Sequence, residues 1–136
     1  MTRATLTILA ALTMIAVLML MPATVFADEV RREADLSATD VDPGASGRAR
    51  FESRQDRAEF RVQVDNVSVT DAVDVFVNGD FVGTIVLDDR GDGELDLNTR
   101  DGDTVPTLQD GDEVEVVDAA DDTTLILVGI LSQGRH

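Results

Sequence analysis

The sequence contains no cysteine, lysine, tryptophan or tyrosine, and its single histidine, His136, is the last residue. Each absence removes a chemistry. Without Cys there is no disulfide, no thiol nucleophile and no Cys-ligated zinc. Without Lys there is no Schiff base. A lone terminal His makes a Ser–His pair inside a fold implausible. The lack of Trp and Tyr removes the obvious stacking platforms for sugars and bases. All four Met lie in the first 21 residues, so the rest of the chain has none.

What is present divides sharply along the chain. Residues 1–27 carry one charge, Arg3, followed by the apolar run "ATLTILAALTMIAVLMLM" (4–21), Pro22 and "ATVFA". A charged start, an apolar core and a small residue at Ala27 predict a signal peptide cleaved after Ala27. The run is long for that purpose and close to the ~20 residues that span a bilayer, so an uncleaved signal-anchor is the alternative. Either way the remainder is exported, to the cell envelope or beyond. That remainder, 28–136, is 136 − 27 = 109 residues, one domain's worth and long enough to bury a core.

All 27 Asp and Glu and ten of the eleven Arg lie after Ala27, giving 10 − 27 = −17. Such a charge repels nucleic acid and anionic membrane surfaces, so neither is expected as a partner once the leader is removed. It favours cations, cationic partners or plain solubility. Twenty of the acids are Asp. A Lys-free, acid-rich surface suits saline surroundings, where salt screens the self-repulsion.

After a polar opening, "DEVRREADLSATD", the chain alternates. A helix is conceivable over 28–34, but residues 36–39 read better as a first strand, and "VDPGASG" (41–47) is a turn. In "RAEFRVQV" (57–64), Ala58, Phe60, Val62 and Val64 share one face and Arg57, Glu59, Arg61 and Gln63 the other, which is a strand with one wet side. "RARFES" (48–53) precedes it, with "RQDR" at the tip. Asn78-Gly79 between two β-branched runs predicts a type I′ hairpin. "ELDLNT" (94–99) and "DEVEVV" (112–117) alternate again, with Leu95, Leu97, Val114 and Val116 inward. "TTLILVGIL" (123–131) is nearly all apolar and reads as a central strand covered on both faces. Phe51, Phe60, Phe76 and Phe81 fall within strand patterns and are expected in the core. Gly-centred turns recur every 9 to 13 residues or so, and no long 3.6-residue period occurs after the leader. The fold class is all-β: an antiparallel sandwich or small barrel of seven or eight strands.

One stretch invites a functional reading. "LDDRGDGELDL" (87–97) sets five acids, one Arg and two Gly between apolar ends. As an EF-type calcium loop beginning at Asp88 it has Asp92 at position 5 and Gly93 at position 6, but Arg90 at position 3 and Thr99 at position 12. The register fails twice. A different calcium site could use Asp88, Asp89, Asp92 and Glu94, helped by "RDGD" (100–103) or "QDGDE" (109–113) if those turns share one end of the fold. Arg90-Gly91-Asp92 matches a three-residue adhesion signal that chance explains well. The local physics favours a hairpin connection, with Asp and Gly supplying the turn geometry. Ca²⁺ is therefore the one cofactor considered, and otherwise none is expected.

The stretch "VFVNGDFVGTIVLDDRGDGELDLNTRDGDTVP" resembles a small exported β-domain of bacterial envelope and secreted proteins, with an NG hairpin, VGT, an acidic Gly turn and a Gly turn before VP. Upstream, "ADLSATDVDPGASGRARFE" resembles the opening of CHRD-type domains: a Leu-Ser strand, a Pro-containing loop and a Gly-initiated strand. Together the likenesses cover most of 34–131. They rest on turns and strands, so they imply the fold rather than an activity. CHRD-type domains carry internal His residues, which this chain lacks, so no metal role follows and no functional residue carries over.

The expected function is a secreted, non-enzymatic module with an envelope, matrix or protein-interaction role. Its edge strands could pair with a partner or with copies of itself, and the polar segment 28–39 is one candidate edge. A calcium-dependent binding module is the first alternative. A small hydrolase is the second, and would need an inward pair of carboxylates roughly 5–9.5 Å apart. The charge itself yields the first test: thermal unfolding should move to higher temperature as NaCl is added, and a midpoint that stays flat or falls would contradict the saline reading.

Overall fold

The computed structural model describes residues 29–134. The leader expected over 1–27 and the terminal His136 lie outside the described residues. Nine strands follow one another: β1 (Val30–Ala38), β2 (Ser46–Arg54), β3 (Arg57–Asp65), β4 (Ala72–Val77), β5 (Asp80–Val86), β6 (Gly93–Asn98), β7 (Glu113–Asp118), β8 (Asp121–Ile130) and the two-residue β9 (Ser132–Gln133). A 3₁₀ turn, Thr99–Asp101, follows β6. The long strands pair in the order β5-β4-β7-β8-β1-β2-β3-β6, and β9 pairs with β1. Every pairing is antiparallel. The sheet curls until its two end strands, β5 and β6, lie side by side, giving an eight-stranded barrel that is almost closed.

The alternation seen in the sequence becomes the inside and the outside. Phe60, Val62 and Val64 of β3, Val73 and Val75 of β4, and Val114 and Val116 of β7 are fully buried. Leu95 and Leu97 of β6 pack against this core while partly exposed. The Asn78-Gly79 turn has φ of 50° and 85°, the two positive values that a type I′ hairpin demands.

Three expectations change. The segment from residue 30 onward is strand, not helix, because Ala34 and Leu36 face inward while Arg31, Glu33 and Asp35 meet Glu52, Arg50 and Arg48 directly across β2. It is also no edge: β2 flanks β1 on one side, and β8 and β9 on the other. Finally, β8 is central in the order but covered on one face only. Val116 pairs with Leu127 and Val117 with Leu125, so Ile126 is an extra, bulged residue. The bulge lets Ile126 and Leu127 both be buried, and leaves Ile130 53% exposed. Thr39 receives the freed backbone: its N–H donates to the Ile126 carbonyl and its Oγ1 to the Leu125 carbonyl.

The registers fix which loops share an end. At the upper end lie 39–45, 66–71, 87–92 and the Ala119–Ala120 turn. At the lower end lie the Gln55–Asp56 and Asn78–Gly79 turns, the long 99–112 connection, and both ends of the described chain.

Between β5 and β6 no ladder forms, and small residues let the strands approach. A Cβ on Gly83 would lie 2.9 Å from Leu95 Cδ1, and one on Gly93 would lie 3.0 Å from the Val86 carbonyl and closer still to Ile85. Leu95 thus covers Gly83 and shuts the seam by packing alone. Replacing Leu95 with Ala should cost about 1–2 kcal/mol, less than a full core truncation because the side chain is only partly buried. Amide exchange should quicken selectively in β5 and β6. Uniform protection loss across all strands would show that the seam is not the weak line.

Candidate functional site: the acidic turn and the arginine-free wall

The 87–92 connection is a clamp at the upper end of the barrel. Asp88 Oδ1 accepts from the N–H of Arg90 at 2.9 Å and of Asp92 at 3.0 Å. The Asp88 N–H donates to the Asp92 carbonyl, and the Gly91 N–H to the Asp88 carbonyl. These backbone donors, that of Asp92 first, hold the Asp88 carboxyl below its ordinary value of 3.8. A lowered value means the ionised form is favoured by folding. That contribution is present above the unfolded value and disappears as the pH falls through the folded one.

The same turn bonds to the loop after β3. Asp92 Oδ1 accepts from the N–H of Asn66 at 2.9 Å. Asn66 holds a left-handed φ of 58°, and its Nδ2 donates to the Gly44 carbonyl. The Val67 N–H donates to the Gly91 carbonyl at 3.0 Å. Asp42, the only buried charged side chain among the described residues, takes the Ser68 N–H at 2.7 Å on one oxygen and the Ser68 hydroxyl at 3.0 Å on the other. Three loops are therefore tied together by Asp carboxylates that accept from backbone N–H groups.

This placement bears on each reading of the stretch. Of the four candidate ligands, Asp88 and Asp92 already serve backbone donors. Glu94 points along the outer face of β6, where it meets Arg61 at 3.1 Å. Asp89 is exposed on the turn. The two turns that might have helped them, 100–103 and 109–113, sit at the opposite end of the barrel. Among the described residues no group of three or more His, Cys, Asp or Glu is disposed to hold a metal ion. Within the Arg-Gly-Asp triplet, Gly91 is buried and Asp92 is bonded to Asn66, so the triplet is no protruding loop.

Charge is divided between the two walls. The outer face of β1-β2-β3-β6 is a lattice of opposed charges: Arg31 with Glu52 at 3.2 Å, Arg50 with Glu33 at 3.3 Å, and Arg61 with Glu59, Glu94 and Asp96 at 3.2, 3.1 and 3.0 Å. The other wall, β5-β4-β7-β8, bears no Arg. There Phe81, Phe76, Glu115 and Val128 follow one another across the strands, with Glu113 beside Ile130 below. Two of the four Phe expected in the core are on this surface: Phe76 is half-buried, and Phe81 is 59% exposed with its ring edge-on to Phe76 at 5.7 Å. The strand period put both within strands, as they are, but the expectation of core burial fails because the sequence does not say which face of β4 and β5 is inside. Val82, bulged opposite the Val75–Phe76 step, shifts the register at that point.

The acids on this wall crowd one another. Burial, then Glu113, pushes the Glu115 carboxyl up; burial, then Asp74, pushes Asp122 up. Both pairs are on the open wall, whereas the buried Asp42 is satisfied by Ser68. No inward pair of carboxylates in a cleft is found among the described residues. Beside Phe81 a hollow of about 310 Å³ is floored by Val77, Val82, Pro106 and Leu108 and rimmed by Asp80 and Asp112. Asp112 is held there by Asn78 Nδ2 at 3.0 Å and the Gln109 N–H at 2.8 Å. No family model matches the chain, and no curated protein matches its sequence.

Two glycines separate a local turn from a clamp. Gly79 has φ of 85° and open space around a Cβ, so Gly79→Ala should cost only the left-handed strain, about 1 kcal/mol. At Gly91, φ is 79° and a Cβ would overlap the Val67 carbonyl and N–H. Gly91→Ala should therefore cost upwards of about 4 kcal/mol. Urea unfolding of both variants measures the difference, and equal midpoints would mean that 87–92 is an independent loop.

Proposed function

We propose that this chain is an exported, non-catalytic β-barrel module with an envelope, matrix or protein-interaction role, and that it meets its partner through the β5-β4-β7-β8 wall. One observation carries the reading: apolar groups and uncompensated acids share that wall. Phe81, Val86 and Ile130 are 59%, 78% and 53% exposed. None of the ion pairs among the described residues falls there. Large exposed apolar side chains with a charged surround mark contact surfaces more often than bare solvent faces. The sign of the surround selects a cationic partner, since complementary charge guides encounter and suppresses wrong partners.

Catalysis has little support. Cys and Lys nucleophiles are missing from the composition and the one His is terminal, and the crowded acid pairs lie on the outer wall rather than in a cleft. Export rests on the leader, through its charged start, apolar run and Ala27.

Binding to a peptide that alternates Arg with Leu, followed by fluorescence anisotropy at several NaCl concentrations, tests the proposal. The purified protein should bind, and Phe81→Ser with Ile130→Ser should weaken binding roughly tenfold, the value of about 1.4 kcal/mol. Equal binding by the double variant, or a tenfold loss of binding in a variant altered on the opposite wall alone, would reject this wall as the contact surface.

A further inference from the structure

The lower end of the barrel holds a second feature, with the opposite charge. Arg54 and Arg57 close the β2–β3 hairpin and are direct cross-strand partners. Like charges so placed repel. Arg100, from the 3₁₀ turn after β6, joins them around a hollow of about 500 Å³, completed by Gln55, Asp56 and Glu29. The two elements are fixed to each other: the Ala58 N–H donates to Thr99 Oγ1 at 3.0 Å. The Arg100 backbone is fixed too, its N–H donating to Asn98 Oδ1 at 3.0 Å.

The pairing pattern singles this hollow out. Of nine Arg among the described residues, six make ion pairs: Arg31, Arg32, Arg48, Arg50, Arg54 and Arg61. The three that make none are Arg57, Arg90 and Arg100, and two of these line the same hollow. Arg54 uses one nitrogen on Glu29 at 2.9 Å. Asp56 sits in the lining without an ion pair to either neighbour. In a chain with 27 acids and 11 bases, two guanidinium groups left over at one concave place call for an anion from outside. Guanidinium presents a planar fork of donors that matches the edges of a tetrahedral oxyanion.

We infer that the Arg54–Arg57–Arg100 hollow binds a small oxyanion, a sulfate or phosphate group, either free or as a single ester on a sugar. Size follows from charge. A polyanion would extend beyond the hollow into the field of a chain at −16 and be repelled, whereas one compact group is within reach of the three cations and screened from the rest over about 8–10 Å of saline. The site is independent of the wall proposed above as the contact surface, which lies across the barrel from these residues' strands.

Amide chemical-shift titration of the purified protein tests it, with sodium sulfate and glucose 6-sulfate in separate arms, and NaCl at matched ionic strength as reference. Saturable shifts confined to residues 54–58 and 98–101 are expected in at least one sulfate arm, and the arm that saturates at lower concentration names the source. Arg57→Gln and Arg100→Gln should each weaken binding about tenfold or more, as loss of a charge-assisted hydrogen bond does. Asp56→Asn should tighten it. Unchanged shifts elsewhere show that each variant is folded. The inference fails if sulfate and chloride act alike, or if both Arg variants saturate where the wild type does.

Discussion

The barrel is closed by hydrogen bonds everywhere except between β5 and β6, and much of the rest of the structure answers that one gap. A ladder would hold two strands about 4.8 Å apart regardless of side chains. Here the approach depends on Gly83 and Gly93, and on Leu95 lying over the first of them. Packing of that kind resists separation weakly at its ends, where side chains run out. At the upper end the reinforcement is the acidic turn itself, because 87–92 is the connection that spans the seam from β5 to β6. Its bonds to Asn66 and Val67 tie the seam to the loop between β3 and β4, and Asp42, from the loop between β1 and β2, holds that same loop at Ser68 from the far side. The stretch that looks in the sequence like a calcium loop thus substitutes for ladder bonds that the barrel lacks.

This use of Asp explains part of the composition. An Asp carboxylate beside a turn accepts from N–H groups that would otherwise face water or go unpaired. Asp88, Asp92, Asp103, Asp112, Asp118 and Asp121 all do so. Such acids contribute structure and charge together. Arg answers the charge on one wall only. The result is a molecule whose first wall is nearly neutral by pairing and whose second is acidic and apolar.

Much of this was legible in the strand patterns. β3 shows its two faces plainly because Arg, Glu and Gln alternate with Phe and Val, and Asn78-Gly79 announces its hairpin. β1 was harder, since its outward residues are charged and only Ala34 and Leu36 mark the inside. Its identity depends on Arg and Glu partners across β2, which are distant in sequence. β8 misled for the opposite reason: a continuous apolar run looks covered on both faces, while the bulge at Ile126 spends two of its residues inward in succession. Phe76 and Phe81 were misplaced by the same blindness to face, because a strand of alternating apolar residues with mixed partners does not declare its inner side. The arginine hollow was illegible, as the hairpin of Arg54 and Arg57 is separated from Arg100 by the course of four strands, β3 to β6, and they meet only when β6 returns beside β3.

An open-edged sheet with exposed Phe and Val would ordinarily invite pairing with its own copies. Two features of this chain oppose that. Gly83 and Gly93 let the edges of β5 and β6 turn toward each other, so neither is offered flat to solvent. The apolar groups of the second wall are interleaved with Asp74, Glu113 and Glu115, so a second copy would bring like charge against like. Salt weakens the second barrier but not the first, since screening acts on charge and leaves steric closure intact. In the proposed role the same arrangement favours a cationic partner over a second copy, because Arg from such a partner would satisfy the acids while its stem lay on Phe81 and Phe76. The wall thus discriminates by charge more than by shape, since its apolar groups are spread between acids rather than gathered in one concave patch.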